Sequence, residues 1–288
     1  ICAAGNEPPH ASARVNPLRA KRGELLEAMA AEGIYARPSR LAPAGIVATR
    51  AGSLAATPWY RDGRLTVQDE SSMLVAAVAA PRPGMRVLDC CAAPGGKSTH
   101  LAELMEDRGE VIANDVHPHK EALIAQQAER LGLACVRTTV GDAAELPDKH
   151  PPGSMDVVLL DAPCSGFGVI RRKPEIKWNK TEEDVASLAA LQRRLLEQAG
   201  KLVRPGGTLV YSTCTIAPEE NEEAVRHFLG SRPDFALDPD WPEEILAALR
   251  EENALPEPFA GMAQLLPHQF GSDGFFIARM KRREQPAT

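Results

Sequence analysis

The sequence predicts an α/β fold, with a parallel sheet covered by helices on both faces and a small α/β module in front of it. From residue 85 to residue 140, short β-branched runs alternate with helical patterns, which is typical of repeated strand–helix–strand units. The apolar run 155–160 then suits a buried strand. Acidic residues follow several of these strands, at the edge where open α/β sheets bind ligands.

The N-terminal part reads as a separate unit. Residues 1–16 are polar and contain prolines, so we expect a linker there, followed by a helix over about 19–31. Short alternating pieces around 46–49 and a turn region at 59–63 complete this part. A boundary near residue 66 gives a small module over 1–66 and a larger domain over 67–288.

The larger domain begins with a helix that is capped at 69–72 and runs through residue 80, before a Pro-rich break. The predicted strands are 86–89, 110–114, 134–140, 155–160, 208–212 and 274–280. The predicted helices are 98–105, 118–131, 182–203 and one that begins near Pro218. Residues 231–272 are Pro-rich and weakly patterned, and no element is assigned to them.

The composition is that of a globular protein, since 44% of the 288 residues are hydrophobic and 25% are charged. No apolar stretch is long enough to cross a bilayer and no signal-peptide pattern is present, so we expect a cytoplasmic protein without a membrane partner. The chain begins with Ile1 instead of methionine, which suggests that a preceding segment is missing. We expect a monomer.

Six cysteines are scattered along the chain and lack the paired spacing of a zinc site or a disulfide framework: Cys2, Cys90, Cys91, Cys135, Cys164 and Cys214. We therefore expect no metal. The net charge of −6 argues against a protein that binds nucleic acids indiscriminately. Two basic islands nevertheless stand out, with a net charge of +4 over residues 1–66 and +3 over 161–180.

A loop of small residues joins the strand 86–89 to the next helix, where backbone amides can approach a nucleotide-like cofactor. The residues assigned to that cofactor are Cys91, Ala92, Ala93, Pro94, Gly95, Gly96 and Lys97. The end of this loop is similar to a phosphate-binding loop. Because Cys91 occupies the position of the leading glycine, we discount a nucleoside triphosphatase.

Acidic residues at three successive strand ends extend the cofactor site. Asp115 lies eighteen residues after Lys97, about where related folds hold ribose hydroxyls, and Asp142 is placed to meet the adenine. Asp161 is the third. Each acid taken alone is more often a helix cap or a turn residue, so the prediction depends on the set.

The stretch 161–166, Asp-Ala-Pro-Cys-Ser-Gly, places Cys164 beside a proline at the end of the buried strand. This position indicates a reactive thiol. The alternative is a strand-end turn that holds a small apolar thiol.

On these motifs the sequence resembles the S-adenosylmethionine-dependent RNA cytosine methyltransferases of the Sun family. The resemblance covers nearly the whole chain and rests on residues 89–98, 161–166, 212–215, 218–221 and 273–276. Residues 169–178 look like the RsmB-type bacterial branch, which modifies 16S ribosomal RNA, and residues 14–16 match the start of the family's small module.

The resemblance implies a Rossmann-like methyltransferase domain, S-adenosyl-L-methionine as cofactor, 16S ribosomal RNA as partner and RNA binding by the module 1–66. RsmB-type proteins also carry an N-terminal helical RNA-binding domain, which we expect to be missing here. The alternatives are the same chemistry on transfer RNA or another RNA, and a noncatalytic RNA-binding assembly factor.

The chemistry of cytosine methylation explains why two cysteines are present. Carbon 5 is too weak a nucleophile to accept a methyl group unaided, so a thiolate must first add to carbon 6, and a second group must later end the covalent state. The Pro-Cys motif alone makes Cys164 the attacker, as in DNA cytosine methyltransferases. In the Sun family the later Thr-Cys supplies the nucleophile, which implies that Cys214 attacks and Cys164 assists release.

Two further groups are assigned to this site. Asp161 is expected to hydrogen-bond nitrogen 3 of the cytosine, and Lys97 to orient neighbouring groups without a specific step. The basic residues Arg171, Arg172, Lys173 and Lys177 are predicted to line the RNA entrance. The neighbouring Trp178 is expected to pack into the core.

Overall fold

The computed structural model of the protein describes residues 3–50 and 52–284 of the 288-residue chain. The opening Ile1 and the first cysteine, Cys2, lie outside the described residues. The described residues form two sheets, one of four strands and one of eight.

The small sheet is antiparallel, with the strand order β2-β3-β1-β4. Its strands are β1 (Ala11–Val15), β2 (Tyr35–Pro38), β3 (Gly45–Arg50) and β4 (Leu65–Val67). Two helices belong to the same part of the chain, α1 (Arg22–Ala31) and α2 (Pro58–Arg61). The boundary expected after residue 66 falls within β4, and the division of the chain there stays a prediction.

The prediction of a linker over 1–16 is wrong for its second half, because β1 lies inside the small sheet between β3 and β4. Ala13 and Val15 are buried in the core of this sheet, where they pack with side chains such as Met29 and Trp59. The alternate residue Arg14 is also fully buried, which the polar sequence did not suggest.

Arg14 reaches from β1 into the large domain. Its Nε and Nη2 donate to the two carboxylate oxygens of Glu103, at 2.8 and 2.9 Å, and Nη1 donates to the carbonyl of Gly96 at 2.8 Å. The side chains of both ion-pair partners have no exposed surface. A buried and bidentate pair therefore joins the two sheets.

The large sheet has five parallel strands: β5 (Arg86–Asp89), β6 (Glu110–Asp115), β7 (Val136–Val140), β8 (Met155–Asp161) and β9 (Val203–Thr213). Three antiparallel strands extend it: β10 (Phe235–Leu237), β11 (Met262–Leu265) and β12 (Phe275–Arg282). Along the sheet the order is β7-β6-β5-β8-β9-β12, and β10 and β11 both pair with β12. The chain reverses its direction across the sheet between β5 and β8, where α/β folds place their ligands.

The helices of the large domain are α3 (Glu70–Ala79), α4 (Gly96–Leu104), α5 (Pro118–Leu131), α6 (Leu146–Lys149), α7 (Ile176–Asn179), α8 (Glu182–Leu202), α9 (Glu222–Ser231), α10 (Glu243–Glu251) and α11 (Pro267–Phe270). Alternate strand residues divide between two cores. Val87 and Val157 pack in the core that includes α3 and α4, and Leu88 and Val158 in the core that includes α8 and α9. The predicted parallel sheet with helices on both faces is confirmed.

Residues 231–272, which had no predicted element, contain β10, α10, β11 and α11. The strands are short and lie at the antiparallel edge, so each offers only a weak sequence pattern. Trp241 anchors this region by packing edge-to-face on Phe259, with ring centroids 5.1 Å apart. The strand predicted over 208–212 is also longer, because β9 begins directly at the end of α8.

Candidate active site

Functional side chains gather at the carboxyl ends of neighbouring parallel strands. Asp115 ends β6, Asp89 ends β5, and Asp161 ends β8 opposite Ser212 of β9. Cys214 directly follows β9. Because β8 and β9 are adjacent and parallel, the loops that follow them leave the sheet side by side.

The structure brings the two cysteines of these loops together. The sulfur atoms of Cys164 and Cys214 lie 3.4 Å apart, although fifty residues separate them in the sequence. Both thiols are partly buried and neither forms a disulfide. At this distance one thiol hydrogen-bonds the other sulfur, so one of the two is stabilised as an acceptor.

The surroundings of the two thiols shift their pKa values in opposite directions. The hydrogen bond from Cys164 and the nearby Lys97 ammonium lower the pKa of Cys214, despite opposition from burial and Asp161. The hydrogen bond to Cys214, burial and the carboxylates of Asp161 and Glu220 raise the pKa of Cys164. Cys214 is therefore the more readily formed thiolate.

A cation–carboxylate pair stands beside the cysteines. Lys97 Nζ donates to Asp161 Oδ2 at 2.7 Å, and Ser212 Oγ donates to Asp161 Oδ1 at 2.7 Å. Lys97 Nζ also lies 5.0 Å from the ring centroid of Phe275. Burial lowers the pKa of Lys97, but Asp161 overcomes this effect and the net direction is upward, so the group remains an ammonium.

The loop that carries Cys164 is fixed on both sides by a buried network. Gln192 Nε2 donates to the carbonyl of Pro163 at 2.9 Å and to Glu220 Oε2 at 2.8 Å. The same carboxylate oxygen accepts from the backbone amide of Ser165 at 2.9 Å. Gln192 and Glu220 are both fully buried, so they hold the residues that flank Cys164 without contact with solvent.

The loop after β5 turns through Gly95, whose φ of +103° favours glycine. A Cβ at this position would lie 3.2 Å from the Cα of Ile124. The amides of Ala93 and His117 donate to the two oxygens of Asp115, at 3.2 and 3.1 Å. Asp115 therefore holds the loop while its remaining lone pairs stay available.

Asp89 lies at the start of this loop and has a shifted pKa. It is fully buried, accepts from Ser98 Oγ at 2.6 Å, and burial raises its pKa to about 7. Burial also raises the pKa of the neighbouring Cys91 thiol, and the carboxylates of Asp89 and Asp161 raise it further. Cys91 is thus a neutral thiol in the cavity wall.

Two cavities meet at Asp161. The first, of about 460 Å³, is lined by both cysteines and by five of the ten predicted cofactor residues, and its lining includes Cys91, Ala93, Asp115, Asp142, Asp161, Cys164 and Cys214. The second, of about 450 Å³, lies between the two sheets, and its lining includes Gln68, Cys91, Ala92, Ala93, Pro94, Gly96, Lys97, Asp161, Arg172 and Phe275. Gly95 belongs to neither lining and faces Ile124 instead.

The basic stretch is only partly a free surface. Arg171 is buried and pairs with Asp273 at 3.1 Å, whereas Arg172 pairs with Asp273 at 2.7 Å and with Asp69 at 2.9 Å. Lys177 Nζ donates to Asn6 Oδ1 at 2.6 Å, and Lys173 is exposed. These arginines therefore fasten the stretch to the body of the protein.

The expectation that Trp178 packs into the core is wrong, because the residue is 85% exposed. Ile176 takes the inward position of α7 instead, with its Cδ1 atom 3.1 Å from where a Cβ of Gly166 would lie. This four-residue helix buries no side chain fully, and the sequence pattern did not show which of its two apolar residues turns inward.

Sequence reasoning assigned no role to Glu220, Gln192, Phe275 or Arg14. Glu220 belongs to the quoted motif at 218–221, and Phe275 to the motif at 273–276. Gln192 had a detectable signal, since it is a polar residue on the buried side of the amphipathic helix α8. Arg14 belongs to the motif at 14–16, but nothing in the sequence placed Glu103 opposite it.

One known protein family matches most of this chain. Residues 76–281 match the family model described as 16S rRNA methyltransferase RsmB/F. The chain belongs to the RsmB/F methyltransferase family. Residues 1–55 of this family member match the model of the RsmF/B-like ferredoxin-like domain. The resemblance seen in the sequence motifs is confirmed.

Individual relatives of the RsmB/F chain show the same relationship. It is 45% identical to the probable ribosomal RNA small subunit methyltransferase B of Bacillus subtilis, over 98% of this chain and 62% of the relative. A methyltransferase homologue from Pyrococcus horikoshii is 30% identical, with a TM-score of 0.82 over 98% of this chain and 89% of that structure. The structure of NSun6 from the same organism with SFG shares the fold, with 24% identity and a TM-score of 0.85 over 99% of this chain and 94% of that one.

The RsmB/F chain spans about three fifths of the length of the curated relatives that it matches, 62% for the first. Within residues 3–50 and 52–284, no helix combines the length and apolar character needed to cross a bilayer. The same residues contain no cluster of three or more His, Cys, Asp and Glu side chains placed to hold a metal ion.

Proposed function

We propose that the chain transfers a methyl group from S-adenosyl-L-methionine to carbon 5 of a cytosine in 16S ribosomal RNA, acting in the cytoplasm. In this proposal Cys214 forms a covalent bond to the cytosine and Cys164 assists release. The observation that carries the proposal is the 3.4 Å separation of these two sulfur atoms, beside the Lys97–Asp161 pair. A structural thiol has no need of a second thiol and a buried ammonium.

The cavity of about 460 Å³ suits the cofactor in size and in chemistry. Asp115 has lone pairs free for ribose hydroxyls, and Asp142 presents a carboxylate further along the same wall. We assign the loop 91–97, of which Cys91 and Ala93 line this cavity, to the remaining contacts. When bound, S-adenosylmethionine supplies an electrophilic methyl group.

Attack on the cytosine falls to Cys214. Its lowered pKa makes the thiolate more abundant near neutral pH than for an ordinary cysteine. The thiolate adds to carbon 6, which moves electron density to carbon 5. Cys164 donates its hydrogen bond to the attacking sulfur before addition, because its own raised pKa keeps it protonated.

The Lys97–Asp161 pair is assigned to nitrogen 3 of the ring. Negative charge develops on the ring as the thiolate adds, and a hydrogen bond at nitrogen 3 stabilises that charge. A carboxylate alone cannot donate, so in this proposal the donor is the Lys97 ammonium, which Asp161 holds by a hydrogen bond of 2.7 Å. Since Asp161 lines both cavities, we place the cytosine in the cavity between the two sheets, at the end where Asp161 joins it to the other cavity, whose lining holds Cys214 and is assigned to the methyl donor.

Release requires two changes. The proton on carbon 5 leaves to a base, and the electrons of the bond between carbon 6 and sulfur return to Cys214 as a thiolate. Cys164 lies next to that sulfur and its thiol stabilises the departing thiolate by a hydrogen bond. Without this thiol, the covalent state is expected to persist.

The module 1–66 is proposed to bind the RNA, and residues 67–288 to carry out the transfer. The module carries a net charge of +4, so an anionic partner is attracted to the module more than to the acidic remainder of the chain. It also forms one wall of the cavity assigned to the cytosine, through residues such as His10 and Ser12. The monomeric state stays a prediction.

The test is transfer of a labelled methyl group to unmodified 16S RNA and, in parallel, to transfer RNA, followed by mapping of the modified nucleotide. Label at carbon 5 of a cytosine in 16S RNA is the expected result. Label in transfer RNA alone would show that the substrate is transfer RNA and not 16S RNA. Binding of cofactor and RNA without label would replace the proposal with a noncatalytic role.

A further inference from the structure

Trp178 is a large aromatic side chain with almost no protein around it. It is 85% exposed, while Trp59 and Trp241 are 5% and 3% exposed. An indole ring carries much apolar surface, and placing it in water gives no stability to the fold. Single exposed apolar residues are ordinary, so the surroundings must decide whether this one has a partner.

Those surroundings are cationic. Residues 171–180 contain five Lys or Arg and a single acid, Glu175. The two arginines are occupied by carboxylates, but among the described residues no ion pair involves Lys173, Lys177 or Lys180. An exposed indole between unpaired ammonium groups suits a ligand that is both planar and anionic, and single-stranded RNA has both properties.

Trp178 and the lysines around it also lie next to the proposed reaction site. Ile176 packs against Gly166, two residues from Cys164. Val169 and Arg172, earlier in the same stretch, line the cavity assigned to the cytosine. A base presented for chemistry is taken out of its stack, so a nucleotide strand that delivers one base into that cavity has its unstacked neighbours beside this stretch if it leaves on this side.

We propose that Trp178 stacks on an unpaired RNA base that flanks the target cytosine, while Lys173 and Lys177 contact the adjoining phosphates. This inference rests on the proposed function and adds to it a determinant of substrate recognition. Trp178 is in this view a positioning residue, because it holds the strand and does not touch the reacting atoms. Stacking tolerates any base, so Trp178 contributes affinity and the cavity selects the cytosine.

The first experiment compares Trp178→Leu, which keeps an apolar side chain without a π face, with Trp178→Phe, which keeps a smaller π face. The KM for 16S RNA in methyl transfer is expected to rise about 10-fold for the leucine variant and less than about 3-fold for the phenylalanine variant. Equal KM values for the leucine variant and the wild type would overturn the stacking role. So would an equal rise in both variants, because simple loss of indole volume would then explain it.

The second experiment needs no turnover, so that its failure is distinct from failure of the proposed methylation. Indole emission is followed while a single-stranded oligoribonucleotide is added, with Trp178→Phe as the matched control that retains the two buried tryptophans. Quenching in the wild type and its loss in the variant are expected. An RNA that binds without changing the emission would overturn the inference even if methyl transfer proceeds normally.

The phosphate contacts are tested separately by salt. Lys173→Gln is expected to reduce the slope of log binding constant against log salt by about one, whereas Trp178→Leu leaves the slope unchanged. An unchanged slope for Lys173→Gln would remove that lysine from the contact.

Discussion

The loops that carry Cys164 and Cys214 follow adjacent strands and end 3.4 Å apart, but their environments are opposite. The Cys164 loop is fixed from behind by buried Gln192 and Glu220, and the hydrogen bond to Cys214, burial and nearby carboxylates all raise the pKa of its thiol. At Cys214 the hydrogen bond from Cys164 and the Lys97 ammonium lower the pKa, against burial and Asp161. One loop is built to hold a protonated thiol in place, and the other to stabilise a thiolate.

This difference carries information that the two motifs alone do not. Read as sequence, either cysteine is a candidate nucleophile, and only the family resemblance ranks them. The hydrogen bond between the two thiols has the largest influence on both pKa values and, together with the Lys97 ammonium, favours the same ranking. Four predictions test it, beginning with the largest expected effect.

The strongest test exchanges each thiol for a methyl group. Cys214→Ala is expected to reduce methyl transfer by about 10³-fold or more, because no group remains to add to carbon 6. Cys164→Ala is expected to form a covalent protein–RNA adduct, visible as a denaturation-resistant band. If the adduct forms in Cys214→Ala and is absent from Cys164→Ala, the two roles are reversed.

Removal of the cation is the next largest effect. Lys97→Met leaves Asp161 without its partner and raises the pKa of Cys214, so transfer below pH 8 is expected to fall by about 10-fold for each unit of that rise. The matched control is Lys201→Met, at an exposed position on α8. Should alkylation of Cys214 proceed at the same rate in Lys97→Met as in the wild type, the cation has no part in activating the thiol.

The third test follows the thiols through a pH series in the absence of RNA. Reaction of Cys214 with iodoacetamide needs the thiolate, so its rate rises with pH through a pKa that lies below the ordinary cysteine value. In Cys164→Ala the donor of the hydrogen bond is lost, and the profile is expected to move about one unit toward higher pH. Cys135 is an internal reference, because burial raises its pKa to about 12. A profile that moves to lower pH would contradict the hydrogen bond.

The smallest effect concerns the fixed loop. In Glu220→Gln one amide oxygen replaces a carboxylate that accepts from both Ser165 and Gln192, so the position of Cys164 is expected to loosen. Product release should slow by about 3- to 10-fold, while formation of the Cys214 adduct keeps its rate. Glu219→Gln, at the exposed neighbouring position, is the control. Equal slowing in both variants would show that the network does not position the loop.

The central strands of the large sheet were predictable because each is a short apolar run with a clear end. The acids at those ends were also visible, since carboxyl ends of parallel strands meet at one edge. The residues that hold the site from behind were not assigned. Gln192 and Glu220 lie twenty-eight residues apart in the sequence and together fix the Cys164 loop. Their contact depends on how α8 crosses the sheet.

Two errors have a common physical origin. Residues 11–15 were expected to form a linker because they are polar, and Trp178 was expected to be buried because it is aromatic. Arg14 is buried because an ion pair compensates its charge, and Trp178 is exposed because Ile176 occupies the inward side of α7. The polarity of a side chain predicts its burial only where no ion-pair partner compensates a charge and no neighbouring side chain takes the buried position.

The buried contact between Arg14 and Glu103 limits how this protein can be divided. Glu103 lies on α4, the helix that also carries Lys97, so the small sheet is anchored to the element that supports the reaction site. A version of the chain cut at residue 66 would divide β4 and remove Arg14, the partner of that carboxylate. The module is therefore no detachable adaptor, and any exchange of modules between relatives has to carry both halves of this pair.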